Sequence, residues 1–255
     1  MPASLRPAAL LMLFMVMTGC ASQPTTLPIR IALLAPFESR YRAVGYDALY
    51  AARLALSESG VQNVEILAVD DGELPYLTAD RAEALAGDPN VFAAIALGYP
   101  AVDANTQVAL ADIPTIIVGD WGAAPIGEQI FLLSLRTVGL PDDSFMFPDI
   151  RVLYPNYAYA DFVSSAQPPD ADFTRRYMEF NQIALTPTPL ATLTYDAMRV
   201  LLEASRGKST RAEIAASVSD IDYSGINGRI RFIAHAWFNP PQRSYSLLNG
   251  ELVSP

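Results

Sequence analysis

Ile29-Arg-Ile-Ala-Leu-Leu34 is apolar at five of six positions, and it lacks the alternation of a strand with one wet face. Such a run predicts a strand covered on both sides, the kind found inside parallel sheets. Behind it, residues 44–59 set Leu49, Ala52, Leu56 and Ser59 at spacings of three and four, which is a helical pattern, and Gly60 supplies the stop. The pairing then recurs. Val64-Glu-Ile-Leu-Ala-Val69 predicts a second strand closed by Asp70-Asp71-Gly72, and 78–86 a helix ended by Gly87-Asp88-Pro89. Phe92-Ala-Ala-Ile-Ala-Leu97 predicts a third strand, 102–111 a helix, Pro114-Thr-Ile-Ile-Val118 a fourth strand and 129–135 a fifth. Strands alternating with helices at this spacing predict an α/β fold, an open and mostly parallel sheet with helices on both faces.

Past residue 137 the rhythm stops. Residues 139–169 mix prolines, aspartates and aromatics (Phe145, Phe147, Tyr154, Tyr157, Tyr159) without a period, which predicts an extended crossing with a short strand near 150–153. Helical character returns over 170–184 and more strongly over 188–205. A third helix follows over 210–218, where Thr210-Arg-Ala-Glu213 resembles a capping box. Gly228-Arg-Ile-Arg-Phe-Ile233 and Ser244-Tyr-Ser-Leu-Leu248 then predict hairpin-type strands, with Asn249-Gly250 turning into Glu251-Leu-Val253. The aromatics between Phe145 and Phe180 have two readings: they cover a surface that a larger domain would bury, or they present a partner-binding patch.

The N-terminus carries an address. Arg6, the apolar run from Ala8 to Met17 and the small residues Thr18-Gly19 before Cys20 form the three regions of a signal peptide over 1–19. The apolar run is too short for a bilayer core of about 30 Å. Met17-Thr18-Gly19-Cys20 resembles the lipobox of bacterial lipoproteins, which implies that Cys20 is acylated and that 20–28 form a lipidated tether on the extracytoplasmic face of the cell membrane. Cys20 is the one cysteine, so no disulfide framework is available. The formal charge of −10 argues against a nucleic-acid partner and against electrostatic docking on anionic lipid.

Chemistry-bearing residues are few. Asp70-Asp71 is a carboxylate pair, read mainly as a solvated turn because adjacent strand-end side chains point apart. Asp120-Trp121, between Gly119 and Gly122, could stack on a ligand or cover the sheet edge, with equal claims. His235 is the only histidine and reads as a surface residue on a closing strand or turn, so a histidine metal cluster is excluded. No nucleophile elbow, Walker sequence or dinucleotide fingerprint occurs, and the chain reads as non-enzymatic with no cofactor and no metal.

Several segments, in order, resemble the type I periplasmic binding proteins of the branched-chain amino acid class. They are Ile29 to Ser39, Gly45 with Ala51-Ala-Arg-Leu-Ala-Leu-Ser-Glu58, Val64 to Gly72, Leu135-Arg-Thr-Val-Gly-Leu140, Thr186-Pro-Thr-Pro-Leu-Ala-Thr-Leu-Thr-Tyr-Asp-Ala197, and the closing strands 225–232 and 245–253. The resemblance implies a solute-binding protein of the ABC-transporter or receptor type, with lobe one formed by 29–137 and 186–255. Residues 138–185 are then a remnant of lobe two or a crossing segment, too short for an ordinary lobe. In the family, hydroxyls and backbone amides after the third and fourth strands hold an amino acid, with a tyrosine near the first helix. Here those places read Gly98-Tyr-Pro-Ala-Val-Asp103 and Gly119-Asp-Trp-Gly122, with Val44 at the aromatic's place, so the ligand is not a standard amino-acid zwitterion. The resemblance leaves Tyr99, Asp103, Asp120 and Trp121 as candidate ligand-binding residues, and an ABC permease or an envelope protein as candidate partner. The alternative is an interaction or structural lipoprotein that keeps the fold without binding a small molecule. Replacing Cys20 by Ser is expected to move the protein out of the membrane fraction, and its retention there would sink the lipoprotein reading.

Overall fold

The computed structural model describes residues 28–135, 159–248 and 251–253. The signal peptide, Cys20, the strand expected near 150–153 and the aromatics Phe145, Phe147, Tyr154 and Tyr157 lie outside the described residues.

A seven-stranded sheet runs in the order β2-β1-β3-β4-β5-β10-β9, with strands β1 (Ile29–Ala35), β2 (Val64–Asp70), β3 (Val91–Ala96), β4 (Thr115–Val118), β5 (Ile130–Leu133), β9 (Phe232–Ile233) and β10 (Ala236–Trp237). All its pairings are parallel except β9 with β10. β4 and β5 are buried at every residue and β1 from Ile31 onward, which is why their sequences are unbroken apolar runs. β2 lies at the edge and is only half-buried, although its sequence is nearly as apolar as that of its neighbour. Burial here follows position in the sheet more than composition.

The helices are α1 (Arg42–Ser59), α2 (Pro75–Gly87), α3 (Ala104–Ala109), α4 (Ala171–Phe180), α5 (Pro189–Ala204) and α6 (Arg211–Ser219). Gly60 ends α1 in the left-handed conformation, as expected of a C-cap glycine. Gly45 serves close packing instead. A Cβ there would lie 2.0 Å from the Pro36 carbonyl oxygen, so its absence lets α1 press onto the loop after β1. Ala48, Ala51, Ala52 and Ala55 line the buried side of α1 and allow close packing on α5, whose own face holds Leu190, Leu193, Ala197 and Leu201. The Thr210 and Glu213 capping box of α6 is present in both directions, with Glu213 N–H donating to Thr210 Oγ1 at 3.2 Å and Thr210 N–H to Glu213 Oε2 at 3.1 Å.

The later segments depart from expectation. Residues 228–233 do not form one strand: β8 (Gly228–Ile230) pairs with β7 (Tyr223–Gly225) in a small ribbon, and the chain breaks before β9. β9 and β10 form a tight hairpin whose two turn residues, Ala234 and His235, both have positive φ (48° and 63°), and β10 joins β5. Two-residue strands are too short to leave a periodic signal in the sequence. β11 (Arg243–Leu248) and β12 (Glu251–Val253) pair as expected, but together with β6 (Tyr159–Ser164) they make a separate three-stranded antiparallel sheet in the order β12-β11-β6. Residues 243–253, assigned by sequence to lobe one, thus share a sheet with part of the crossing segment. Conversely α4, assigned to the remnant of lobe two, packs against α1.

That packing rests on polar side chains. Asp47 on α1 is buried and accepts hydrogen bonds from Tyr177 Oη (2.8 Å), Thr188 N–H (3.2 Å) and the Thr188 hydroxyl. Glu58, a few turns on, accepts from Arg176 and from Tyr195 Oη at 2.6 Å. Burial and the Glu58 bond push the Tyr195 hydroxyl up to about 12. Removing the Tyr177 hydroxyl as Tyr177→Phe is expected to cost about 1.5–3 kcal/mol, the range for a hydrogen bond to a charged group, in a urea titration of the purified protein. A change no larger than that of the exposed Glu179→Ala on the same helix would deny the Asp47 contact this role.

Candidate functional site

In a parallel sheet every strand delivers its carboxyl end to one edge, and ligands of open α/β folds sit there. Here that edge collects Pro36-Phe37-Glu38 after β1, Asp70-Asp71 after β2, Gly98-Tyr99 after β3, Gly119-Asp120-Trp121 after β4 and Ser134-Leu135 after β5. The β3 and β4 register pairs Ala96 with Ile117, so the loops after the two strands leave the sheet side by side, and the Tyr99 ring meets that of Trp121, the residue after Asp120.

The solvated turn expected at Asp70-Asp71 is corrected by the structure. Asp70 accepts from Phe37 N–H (2.8 Å), Glu38 N–H (3.1 Å), Gly72 N–H (2.9 Å) and Arg81 Nη1 (2.8 Å). Partial burial raises its carboxyl, but the Arg81 bond and the amides outweigh this and hold it below the usual range. Asp71 is 1 % exposed and accepts from Glu73 N–H at 2.9 Å, and burial pushes its carboxyl up despite that bond. The two side chains do point apart. One ties the β1 and β2 loops together and the other packs inward, where a Cβ on Gly98 would come 3.1 Å from its Oδ2.

The four candidate ligand residues fall into different places. Asp103 caps α3, accepting from Asn105 N–H at 2.9 Å. Trp121 is only 6 % exposed and donates its indole N–H to the Val118 carbonyl at 2.8 Å, so of its two expected uses the structure shows the packed one. Tyr99 stands 43 % exposed, with its ring edge-on to Trp121 at 5.2 Å between centroids and 6.3 Å from the ring of Tyr41. Asp120 is half-buried: Oδ1 accepts from Gly122 N–H at 2.9 Å, while Oδ2 is covered and has no hydrogen-bond partner among the described residues. Burial raises its carboxyl, and the Gly122 amide only partly opposes that.

Two contributors carry no sequence signal. Gln107 on α3 is buried and clamps the loop after β4, donating to the Val102 and Ala124 carbonyls at 2.8 and 3.1 Å and accepting from Ile126 N–H at 2.8 Å. A glutamine in a short polar helix looks the same whether it clamps a loop or faces water. Tyr41, on the turn before α1, brings an aromatic ring to the edge where Val44, itself buried, does not. His235 lies on a turn as expected but is half-buried, with its ring 5.5 Å from that of Phe131 and its Nδ1 unpartnered among the described residues. Among those residues no group of acids, histidines or cysteines could hold a metal ion, and no helix is long and apolar enough to cross a membrane.

Because folding raises the Asp120 carboxyl above its unfolded value, the folded protein loses stability as pH rises from about 3.8 through the raised value. Asp120→Asn is therefore expected to raise the melting temperature at neutral pH, with the gain vanishing as pH falls toward 3.8, where the wild-type carboxyl becomes neutral in the folded state and begins to do so in the unfolded one. A pH-independent difference in thermal scans would contradict the assignment.

No protein-family model matches the chain, and no curated protein matches it in sequence. Solved structures do match. The branched-chain amino acid transporter substrate-binding protein LivJ of Streptococcus pneumoniae, solved with isoleucine, superposes with a TM-score of 0.65 at 15 % identity, over 89 % of this chain and 100 % of that one. A solute-binding protein of an ABC transporter from R. palustris, solved with benzoate, gives 0.67 at 14 %, over 89 % and 95 %. The leucine-binding protein LivK of Thermotoga maritima gives 0.65 at 15 %, over 89 % and 97 %. With its parallel sheet order and these superpositions, the chain has the type I periplasmic binding protein fold.

Proposed function

We propose that the protein is a non-catalytic solute-binding protein, held on the extracytoplasmic face of the cell membrane through an acylated Cys20. The observation that carries the solute-binding reading is what the carboxyl edge of the sheet gathers in neighbouring loops: the exposed Tyr99 ring, in contact with Trp121, and next to Trp121 in the chain Asp120, whose covered Oδ2 has no partner among the described residues. A buried acceptor left unpaired costs folding free energy, about 1–3 kcal/mol, and such a cost is usual where a ligand completes the site. The superposed proteins of the same fold were solved with isoleucine and with benzoate, and both are named as transporter binding proteins. On this reading β6 and its two partner strands belong to a reduced second lobe, while α4 stays with lobe one against α1. A lobe of that size cannot enclose a ligand as a full one does, so delivery to an ABC permease is one role and sensing or scavenging at the membrane surface another.

One observation favours the interaction reading. Along α1 and α4 a shallow groove of about 460 Å³ is lined by Tyr46, Leu49, Tyr50, Arg53, Phe180 and Ile183, the last of them 83 % exposed. Exposed apolar groups gathered in this way mark surfaces that meet other proteins. Thermal shift of the purified protein against amino acids, nucleosides and aromatic acids separates the two readings. A ligand present at 100 times its dissociation constant adds about 2.7 kcal/mol of stability. Shifts with one compound class, abolished in Tyr99→Ala, are the expected result; flat melting curves throughout, with partner capture lost in Phe180→Ser, would transfer the role to the groove.

A further inference from the structure

Asp120 differs from Asp70, at the same carboxyl edge, in what surrounds its charge. Asp70 has a guanidinium and three backbone amides, whereas Asp120 has one amide from Gly122 and, among the described residues, no cation near enough to act on it. The rings beside it form a chain, with Trp121 edge-on to Tyr99 and Tyr99 edge-on to Tyr41. Aromatic faces attract cations through their quadrupole, and the cluster already shows this, since the Arg40 guanidinium lies 5.4 Å from the centre of the Tyr41 ring.

The loops after β3 and β4 are poor in what an anion needs. Pro100, directly after Tyr99, has no N–H to offer, and the Gly122 N–H is already given to Asp120. Neither Gly98-Tyr99-Pro100 nor Gly119-Asp120-Trp121-Gly122 carries a serine or threonine hydroxyl. The net charge of −10 adds a field that draws cations toward the protein and repels anions.

We propose, on the basis of the solute-binding reading above, that the Tyr99 and Asp120 site selects solutes bearing a protonated amine and no carboxylate. The ammonium donates a charge-assisted hydrogen bond to Asp120 Oδ2, and the apolar part of the solute lies against the Tyr99 ring. Because Oδ2 is covered without ligand, entry requires a local side-chain rearrangement at this edge.

Titration calorimetry on the full-length protein with phenethylamine, cadaverine, phenethyl alcohol, leucine and benzoate tests this. The expected result is binding of at least one of the two amines, none of the alcohol, leucine or benzoate, and at least tenfold weaker amine binding in Asp120→Asn. Tyr99→Ala, which removes an exposed ring and no buried charge, should weaken the amine as well, and tests the ring independently of the carboxylate. Binding of leucine or benzoate that survives in Asp120→Asn overturns the amine selectivity while leaving solute binding intact. Amine affinity unchanged in both variants overturns the assignment of these two residues. Silence with all five probes overturns the amine selectivity, and only a flat response to the wider panel as well would remove the solute-binding reading.

Discussion

Asp47 is a carboxylate on the buried face of the first helix, and the second half of the chain is assembled around it. Its oxygens receive the Tyr177 hydroxyl from α4 and both the amide and the hydroxyl of Thr188 at the start of α5. Glu58, three turns on and exposed, adds contacts to Arg176 and Tyr195 at the rim of the same packing. A charge buried as that of Asp47 is tolerated only when its lone pairs are filled, and loss of one partner leaves an uncompensated group. The packing of α4 beside α1, and with it the route by which the chain returns from the small sheet, depends on these acids meeting their donors.

A third acid does the same for the far end of the structure. Asp196 on α5 accepts from Ile226 N–H (3.0 Å), Asn227 N–H (2.8 Å) and Asn227 Nδ2 (2.8 Å), and there is room for it only because Gly225 lacks a side chain. Burial raises its carboxyl in spite of the Asn227 and Ile226 bonds. Asn227 in turn accepts from Gln167 N–H at 2.7 Å, and Arg243 donates to the Ser165 carbonyl at 2.6 Å, so the small sheet is tied to the main body through one connected set of polar groups. Asp120 departs from this pattern, an acid at the carboxyl edge whose second oxygen none of the described residues serves.

Much of the fold was legible. Mostly apolar runs without alternation at Ile29, Phe92 and Pro114 read as strands covered on both faces, and the glycine, proline and capping-box signals between them set the helices to within a few residues. The site was legible in part. Gly98-Tyr99 and Gly119-Asp120-Trp121 were recognisable as strand-end loops, but nothing local said that Trp121 packs down, that Asp103 caps a helix or that Gln107 holds the loop. Burial and hydrogen-bond partners belong to neighbours far away in sequence.

The sequence by itself determined the alternation of strands and helices and the parallel sheet it demands. These follow from local periodicity and residue type. Only the tertiary structure decided that β2 is an edge strand, that residues 243–248 pair with 159–164 and not with the main sheet, and that α4 lies on α1. It also decided which of the acids are partnered. Strand order and the pairing of Asp47 with Tyr177, 130 residues apart, are set by packing between distant segments, and a one-dimensional pattern carries no term for that.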